Sequence, residues 1–242
     1  MKFPLLSKYS ALEHRIYTRN GGTSGGPFKS LNTSYTVGDS PKNVKHNLKL
    51  IKESIAAHNL LYMNQVHGKK VLSIAEKYTP ERYPVRKADA VITDTPSLAV
   101  MVKQADCQGI ILFDPVTTVV AVVHSGWKGS VENILGATAN KMKEFFKCDP
   151  ENIIAAIGPS LGPCCAEFKT HEEIFPSHFI KYMKEKDHFD FWSLSRMQLL
   201  NAGLSKENIE ISGICTKCST DLFFSYRGEN ITGRFATAAM IK

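Results

Sequence analysis

Residues 117–123 read TTVVAVV, a run in which nearly every position is β-branched. Such a run predicts a β-strand that is buried on both faces. The run IILFD comes just before it, across an Asp114-Pro115 turn, and predicts the neighbouring strand. The buried strand is predicted to end at His124, where the turn SGWKG leads into a helix over residues 130–146.

Helical spacing of apolar residues marks further segments. A helix is predicted to begin after Ser40, because Pro41 suits a first helical turn and apolar residues then recur at helical spacing. These residues are Val44, Leu48, Ile51 and Ile55. The stretches HEEIFPSHFIKYMK and SLSRMQLLNAG predict two more helices, the second ending at Gly203.

The remaining segments predict strands and loops. Residues 16–39 are rich in Gly, Ser, Thr and Asn, which predicts a long ordered loop. LLYMNQVHGKKVLSI predicts a strand, a turn at residues 64–68 and a second strand, and ADAVITD and LAVMVKQADC predict two more strands. NIIAAIGPSLGPCC predicts a strand that enters a loop, and IEISGIC and FFSYRG close the chain as strands or loops. Because strands and helices do not alternate regularly, we expect one α+β domain over residues 1–242 with mixed sheets.

Composition excludes several other classes of protein. The 242 residues are 43% apolar and carry a net charge of +7, which is typical of a globular chain and not of a disordered one. No apolar run approaches the roughly 20 residues that a membrane helix needs. We also find no apolar signal-peptide segment, and we expect a cytoplasmic protein that binds no membrane. Six cysteines are too few for a disulfide scaffold in a chain of this length.

The positive charge is unevenly distributed. Residues 1–90 carry a net charge of +9 and the remainder −2. The basic residues are scattered and form no helical face or aromatic-interleaved stripe. We therefore interpret most of them as solvated surface, and we do not expect nucleic acid to be the partner.

Three residues at or after predicted element ends are candidates for metal binding or catalysis. They are His67 in NQVHG, Cys107 in QADCQG and His124 after the buried strand. Taken singly, each has a plain structural explanation: an exposed histidine, a buried inert cysteine and a core histidine bonded to a carbonyl. Taken together they could converge as a Cys-His-His set, which zinc favours. Their spacings of 40 and 17 residues match no zinc-finger pattern.

Cys215 and Cys218 form a C-x-x-C motif. A four-ligand zinc site would need Cys164 and Cys165 as well, but adjacent cysteines are expected to point in different directions. A thioredoxin-type motif is also not indicated, because the pair lies near the C-terminus. We therefore expect these four cysteines, and Cys148, to be structural.

Several motifs occur in a fixed order along nearly the whole chain, from about Thr18 to Arg234. They are TRNGGTSGGPFKSLN, VGD, NQVHG, ADAVITD, ADC, VVHSGWKG, IGPSLGPCC, CT and FFSYRG…TGR. In these motifs the chain resembles the laccase-domain family, whose members were first called polyphenol oxidases. They are now mostly described as purine nucleoside phosphorylases with adenosine deaminase activity.

The resemblance implies a sandwich of mixed sheets flanked by helices and a metal held by His67, Cys107 and His124. The implied metal is zinc, with copper as the alternative, and the implied substrates are a purine nucleoside and phosphate. The chain departs from the family pattern at ADCQG, where the family usually has Pro, at Lys128 in place of Arg, and at Ala166 in place of Tyr. A lysine still binds phosphate, but without the two-pronged geometry of arginine.

Further residues complete the expected site. The Ser125-Gly126 turn at a helix entrance, with Lys128 beside it, is a candidate anion cradle, and Arg19 or Arg227 would add positive charge. Gln65, beside His67, is a candidate substrate ligand. Asp106 is expected either to orient a ligand or act as a general acid, or else to cap the turn that presents Cys107.

Three other functions stay open at this point. One is copper-dependent phenol oxidation, although eight histidines are few for a multicopper enzyme. Another is a cysteine hydrolase with Cys107 as nucleophile and His124 as base. The third is a nucleic-acid binder that uses the +7 charge.

Overall fold

Two mixed β-sheets form the centre of the molecule in the computed structural model, which describes residues 1–75, 79 and 86–242. The four-stranded sheet has the order β1 (Leu12–Ile16), β12 (Phe235–Ile241), β5 (Leu98–Gln104), β2 (Asn59–Tyr62). The six-stranded sheet has the order β11 (Ile209–Ile211), β8 (Ile154–Ile157), β6 (Gln108–Asp114), β7 (Val119–Ser125), β4 (Ala90–Thr93), β3 (Val71–Ile74). A separate pair joins β9 (Met183–Glu185) to β10 (His188–Phe189).

The two large sheets pack face to face around an apolar core. Alternate residues of β7 show the arrangement: Val120 and Val122 belong to the core between the sheets, whereas Ala121 and Val123 face the helices. Every residue of β7 is buried, which confirms the prediction that this strand is covered on both faces. The β6–β7 pair is antiparallel, as the Asp114-Pro115 turn predicted.

Helices cover the outer face of each sheet. The helix α2 (Pro41–Ser54) packs on the four-stranded sheet, against Ala99, Met101, Ala236 and Ala238. The helices α4 (Ile134–Phe146) and α6 (Phe191–Asn201) cover the six-stranded sheet. Shorter helices are α1 (Pro4–Ser7), α3 (Trp127–Val131), α5 (His171–Ile174) and α7 (Tyr226–Glu229). The result is a four-layer sandwich, which confirms the predicted α+β class with mixed sheets. Within the described residues, every helix is too short or too polar to span a bilayer.

Several predicted elements differ from the structure. The helix predicted over residues 130–146 is two helices, α3 and α4, because Asn133 adopts a left-handed conformation (φ 57°, ψ 54°) between them. The side chain of Asn133 then accepts a hydrogen bond from the backbone N–H of Gly136 and begins the second helix. The stretch HEEIFPSHFIKYMK is not one helix but α5, a 3-10 segment (Ser177–Tyr182) and β9.

The strand-turn-strand unit predicted around residues 64–68 is not a hairpin. Strand β2 pairs with β5 in the four-stranded sheet, whereas β3 pairs with β4 in the six-stranded sheet. The connection therefore crosses from one layer to the other and carries His67 to the border between the sheets. The final strand β12 and the helix α7, which replaces part of FFSYRG, were not predicted.

Candidate active site

Three chain segments bring His67, Cys107 and His124 together at one border of the sandwich. His67 lies in the crossing from β2 to β3, and Cys107 lies in the tight turn from β5 to β6, which also passes from one sheet to the other. His124 lies near the end of β7, opposite Gly109 of β6. One ligand atom of each residue lies within 4.8 Å of those of the other two. The two imidazole rings meet edge to face with centroids 4.8 Å apart.

Asp89, which sequence reasoning missed as a site residue, holds this arrangement in place. Its Oδ1 lies 2.9 Å from Nδ1 of His124, and its two carboxylate oxygens accept backbone N–H hydrogen bonds from Val66, His67 and Gly68. One fully buried carboxylate therefore fixes both the ring of His124 and the loop that carries His67. The signal was present in the sequence, because Asp89 belongs to the ADAVITD motif.

The side chains of Cys107, His124 and Asp89 carry alternating charges. Burial acts to raise the pKa of the Cys107 thiol, but the positive charge of His124 and hydrogen bonds from both histidines lower this pKa to about 6. Burial acts to lower the pKa of His124, but the Cys107 thiolate and the Asp89 carboxylate raise it to about 9. Burial likewise acts to raise the pKa of Asp89, and its bonds to His124 and to the loop hold that pKa below its usual value. At neutral pH the Cys107 thiolate and the Asp89 carboxylate therefore both neighbour the His124 imidazolium.

The residues fit a zinc ion. Two imidazoles and one thiolate are ligands that zinc prefers, and three protein ligands leave a fourth position for water or substrate. Because Nδ1 of His124 is bonded to Asp89, Nε2 is the nitrogen left for a metal. Gly126 keeps the space open, since an added Cβ there would lie 3.0 Å from Sγ of Cys107 and 3.2 Å from Cδ2 of His67.

An aromatic cavity of 360 Å³ lies on one side of the cluster. Trp127, Phe168, Phe191 and Tyr226 supply its aromatic walls, and the guanidinium of Arg227 lies 5.0 Å from the centroid of the Phe168 ring. The walls are held from behind by a group of buried aromatic residues around Phe175. A cavity with this lining suits a flat heterocycle that stacks on aromatic faces.

A polar cavity of 310 Å³ lies on the other side. Four residues line both cavities: His67, Ala105, Cys107 and Tyr226. Its distinct lining consists of polar and basic residues: Ser34, Thr36, Asn64, Gln65, Lys103, Gln104, His124 and Arg234. Burial lowers the pKa of Lys103 and of Arg234, but a guanidinium starts from so high a pKa that Arg234 remains charged. This cavity suits a small anion, and neither Lys103 nor Arg234 was among the predicted site residues.

The structure places the residues predicted to bind substrate at different distances from the cluster. Ser125 and Arg227 line the aromatic cavity, and Gln65 lines the polar cavity while its amide pairs with the backbone of Lys103. Lys128 is exposed and lies outside the lining of both cavities, with its Nζ 5.3 Å from the Trp127 ring. Arg19 is also outside both linings and pairs with Glu229 at 2.8 Å.

Asp106 lines the aromatic cavity, but its carboxylate is occupied by three donors. Oδ1 accepts from the hydroxyls of Thr216 and Ser225, both at 2.7 Å, and Oδ2 accepts from the backbone N–H of Arg227 at 2.6 Å. The residue adopts a positive φ of 84° in the turn before Cys107. None of these three donors belongs to the turn itself, so the carboxylate does not cap the turn through them. It joins the Cys107 turn to Thr216 and to the segment that carries Tyr226 and Arg227.

A larger hollow of 870 Å³ lies along α2, away from the cluster. Four of its lining residues are lysines of α2: Lys42, Lys45, Lys49 and Lys52. None of the predicted site residues lines it. It holds part of the positive charge of residues 1–90, and it lacks the metal-ligating groups of the smaller pair of cavities.

The fold and the site together define a class: a four-layer α+β sandwich with a His-Cys-His cluster between an aromatic and a polar cavity. The chain belongs to the multi-copper polyphenol oxidoreductase laccase family, whose profile matches residues 13–242.

Named relatives cover nearly the whole chain. A purine nucleoside phosphorylase of Bacteroides thetaiotaomicron is 32% identical over 98% of this chain and 94% of its own length. Purine nucleoside phosphorylase YfiH of Escherichia coli K12 is 35% identical over 91% of this chain and 90% of its own. The crystal structure of YlmD from Geobacillus stearothermophilus superposes with a TM-score of 0.87 at 27% identity, covering 99% of this chain and 94% of that one.

Proposed function

We propose that the chain, residues 1–242, is one catalytic domain: a zinc-dependent purine nucleoside phosphorylase that also deaminates adenosine. The observation that carries this proposal is the position of the His67, Cys107 and His124 cluster between the aromatic cavity and the polar cavity. The names of the relatives from Bacteroides thetaiotaomicron and Escherichia coli support the phosphorylase activity.

The two cavities suit the two substrates. The purine stacks among Phe168, Phe191 and Tyr226, because aromatic faces bind heterocycles without needing a charged partner. Phosphate occupies the polar cavity, where Lys103 and Arg234 supply positive charge and Ser34 supplies a hydroxyl. The ribose then lies between the cavities, beside Tyr226, which lines both of them and is 55% exposed.

In phosphorolysis, a phosphate oxygen attacks C1′ of the ribose and the bond from C1′ to the purine nitrogen breaks. Lys103 and Arg234 orient the anion and keep it facing the sugar. Arg227, at the wall of the aromatic cavity, is placed to donate a hydrogen bond to the leaving purine.

In deamination, water replaces the amino group at C6 of adenine and ammonia leaves. When bound at His67, Cys107 and His124, zinc supplies the Lewis acidity that activates water or polarises a substrate oxygen.

Copper-dependent oxidation, which the family description names, is less well supported by the residues. Multicopper chemistry needs further copper sites, and copper(II) favours sets rich in imidazole. Among the described residues, the groups of three or more possible ligands are the His-Cys-His cluster and a set of four cysteines. The second set contains no imidazole.

A cysteine hydrolase is the second candidate, because one observation favours it. Cys107, His124 and Asp89 stand in the order nucleophile, base and orienting carboxylate, and the pKa of Cys107 is lowered to about 6. That alternative gives His67 no role. It predicts that a chelator leaves activity unchanged, whereas a zinc enzyme loses activity on chelation and recovers it when zinc is restored.

The experiment that tests the proposal incubates zinc-loaded protein with adenosine and with inosine, with and without phosphate, and resolves the products by chromatography. We expect free base and ribose 1-phosphate only when phosphate is present, and inosine from adenosine in either case. Cys107→Ala should abolish both reactions, while Cys148→Ser, which replaces a buried cysteine distant in sequence from the cluster, serves as the matched control. If adenosine yielded neither adenine nor inosine, the proposal would be overturned. If turnover persisted in Cys107→Ala, the metal assignment would be overturned.

The cytoplasm is the location that suits this chemistry. Cys107 must stay a free thiolate to bind zinc, and reducing compartments preserve free thiols. The substrates are then a purine nucleoside and phosphate, without a nucleic-acid or membrane partner.

A further inference from the structure

Four of the cysteines form a second cluster, in contrast to the expectation that adjacent cysteines would point apart. One ligand atom from each of Cys164, Cys165, Cys215 and Cys218 lies within 4.8 Å of all the others. Sγ of Cys218 is 3.7 Å from Sγ of Cys164 and 3.6 Å from Sγ of Cys165. The turn that follows Gly162 directs both neighbouring thiols to one point, because the N–H groups of Cys165 and Ala166 both donate to the carbonyl of Gly162.

The cluster joins two loops that leave neighbouring strands. Cys164 and Cys165 follow β8, and Cys215 and Cys218 follow β11, which pairs with β8 in parallel. The pairing continues beyond the strands as a bridge between Ser160 and Cys215. Strand β11 is an edge strand of three residues, so the connection between these loops ties a short edge strand to its neighbour β8.

The sulfur separations match metal coordination. In a tetrahedral zinc site with Zn–S bonds of about 2.3 Å, neighbouring sulfurs lie roughly 3.8 Å apart. The observed 3.6 and 3.7 Å are close to that value, whereas a disulfide would bring two sulfurs to about 2.05 Å. All four cysteines are free thiols in the structure.

The backbone also supplies N–H donors to one of the four sulfurs, that of Cys215. The N–H of Gly162 donates to Sγ of Cys215 at 3.3 Å, and the N–H of Cys218 donates to the same sulfur. An N–H donor at a sulfur stabilises the negative charge of a thiolate, which is the form that binds metal. Four sulfur ligands select a soft ion such as zinc and do not suit magnesium or calcium.

We propose that Cys164, Cys165, Cys215 and Cys218 bind a second zinc ion, in a closed structural site separate from the His67, Cys107 and His124 cluster. Four protein ligands leave no position for substrate, so this site has a structural role. Its loops reach the aromatic cavity: Leu161 lines that cavity, and Thr216 bonds to the Asp106 carboxylate that also accepts from the N–H of Arg227. The second zinc therefore fixes one wall of the aromatic cavity without contacting the substrate.

Zinc content per chain tests this proposal independently of any enzymatic activity. We expect two zinc ions per chain in protein purified under reducing conditions, and one in Cys107→Ala, by elemental mass spectrometry. Cys164→Ser/Cys218→Ser should also retain one, and the control Cys148→Ser should retain two. A Cys107→Ala protein without zinc, or a Cys164→Ser/Cys218→Ser protein with two zinc ions, would overturn the proposal.

Alkylation of folded Cys107→Ala protein provides a test that does not depend on the folding of the double variant. Cys164 and Cys218 are exposed, so unbound thiols there would react rapidly with iodoacetamide. We expect both to be protected until a chelator removes zinc, as mapped by peptide mass spectrometry. Equal reactivity with and without the chelator contradicts the site. So does an intact mass 2 Da low that is restored by a reductant, because it identifies a disulfide.

Discussion

Asp89 and His124 are joined twice, by the contact between Oδ1 and Nδ1 at 2.9 Å and by the backbone hydrogen bond from His124 N to Asp89 O at 2.7 Å. The backbone bond belongs to the border of the β4–β7 pairing, so sheet formation itself places the carboxylate beside the ring. The ring orientation is therefore fixed before any metal binds, and Nε2 is directed to the cluster.

Replacement of Asp89 by Asn should weaken zinc binding at the His-Cys-His cluster by about 10- to 100-fold. An amide keeps the size of the carboxylate but removes its charge. Its NH₂ group also replaces one of the two oxygens, of which Oδ1 accepts from the N–H of His67 and Oδ2 from the N–H of Gly68, so one of these donors loses its acceptor. Competition with a chromogenic chelator measures the affinity, in a Cys164→Ser/Cys218→Ser background that leaves only this cluster. Asp94→Asn, at an exposed carboxylate just after β4, is the matched control. An unchanged affinity in Asp89→Asn would show that the carboxylate does not support the metal ligand.

Zinc binding at this cluster should release a proton at pH 7.5. His124 has a raised pKa of about 9 in the metal-free protein, so its ring is protonated at pH 7.5. The metal must therefore displace this proton when it binds. Cys107, with a pKa of about 6, is already a thiolate. The affinity should therefore rise by about tenfold per pH unit from pH 7 to 9 and level off above 9.

Calorimetric titration in buffers of different ionisation enthalpy counts the released proton, in the same Cys164→Ser/Cys218→Ser background. Asp89→Asn should release less, because it removes one of the two anions that raise the pKa of His124. A pH-independent affinity between pH 7 and 9 would contradict the predicted imidazolium.

The sequence predicted those parts of the fold that local pattern determines. A short stretch of sequence shows each of these patterns: the β-branched run of β7, the apolar run of its antiparallel partner β6 and the helical spacing of apolar residues in α2. Sheet membership is not local: β2 and β3 have the pattern of a hairpin, but each buries its apolar side in a different sheet. Strand β12 was missed because FATAAMI is rich in alanine, a weak strand former. Those alanines have a tertiary cause, since Ala236 and Ala238 lie under α2 and their small side chains allow its close approach.

The site shows the same division between local and tertiary signals. His67, Cys107 and His124 were singled out because each follows an element end, and the structure brings them together. Lys128 was chosen instead because it lies beside the Ser125-Gly126 turn at a helix entrance, and this criterion missed Lys103 and Arg234. Lys103 reaches the polar cavity from within β5, and Arg234 directly precedes β12, so only the sheet pairing brings the two together.

Replacement of Arg234 by Ala should raise the KM for phosphate in phosphorolysis and leave adenosine deamination nearly unchanged. The reason is that Arg234 lines the polar cavity, which deamination does not need to fill with phosphate. Loss of one charged hydrogen bond of about 1.5–3 kcal/mol corresponds to about a 10- to 150-fold increase in KM. Steady-state kinetics with phosphate and adenosine varied separately measure the two effects.

Lys143→Ala, at an exposed position of α4, controls for the general loss of a positive charge. Lys128→Ala compares the sequence-based candidate with the structural one, because Lys128 is exposed and lines neither cavity. A larger rise in KM for phosphate in Lys128→Ala than in Arg234→Ala would move the anion site to the entrance of α3.

Replacement of Gly126 by Ala should reduce zinc affinity at the cluster without changing the fold. Gly126 has φ −85° and ψ 178°, an extended conformation that alanine adopts freely, so the substitution introduces no backbone strain. Its new methyl group, however, would lie 3.0 Å from Sγ of Cys107 and 3.2 Å from Cδ2 of His67, closer than unstrained contacts allow. Both ligands must then move, and a metal site tolerates small displacements poorly because its bond lengths are fixed to about ±0.2 Å.

Gly25→Ala is the matched control, since Gly25 is also extended and an added Cβ there meets nothing within 4 Å. If chelator competition gave Gly126→Ala the affinity of Gly25→Ala, with equal melting temperatures, the close packing of Gly126 against the two ligands would have no part in metal binding.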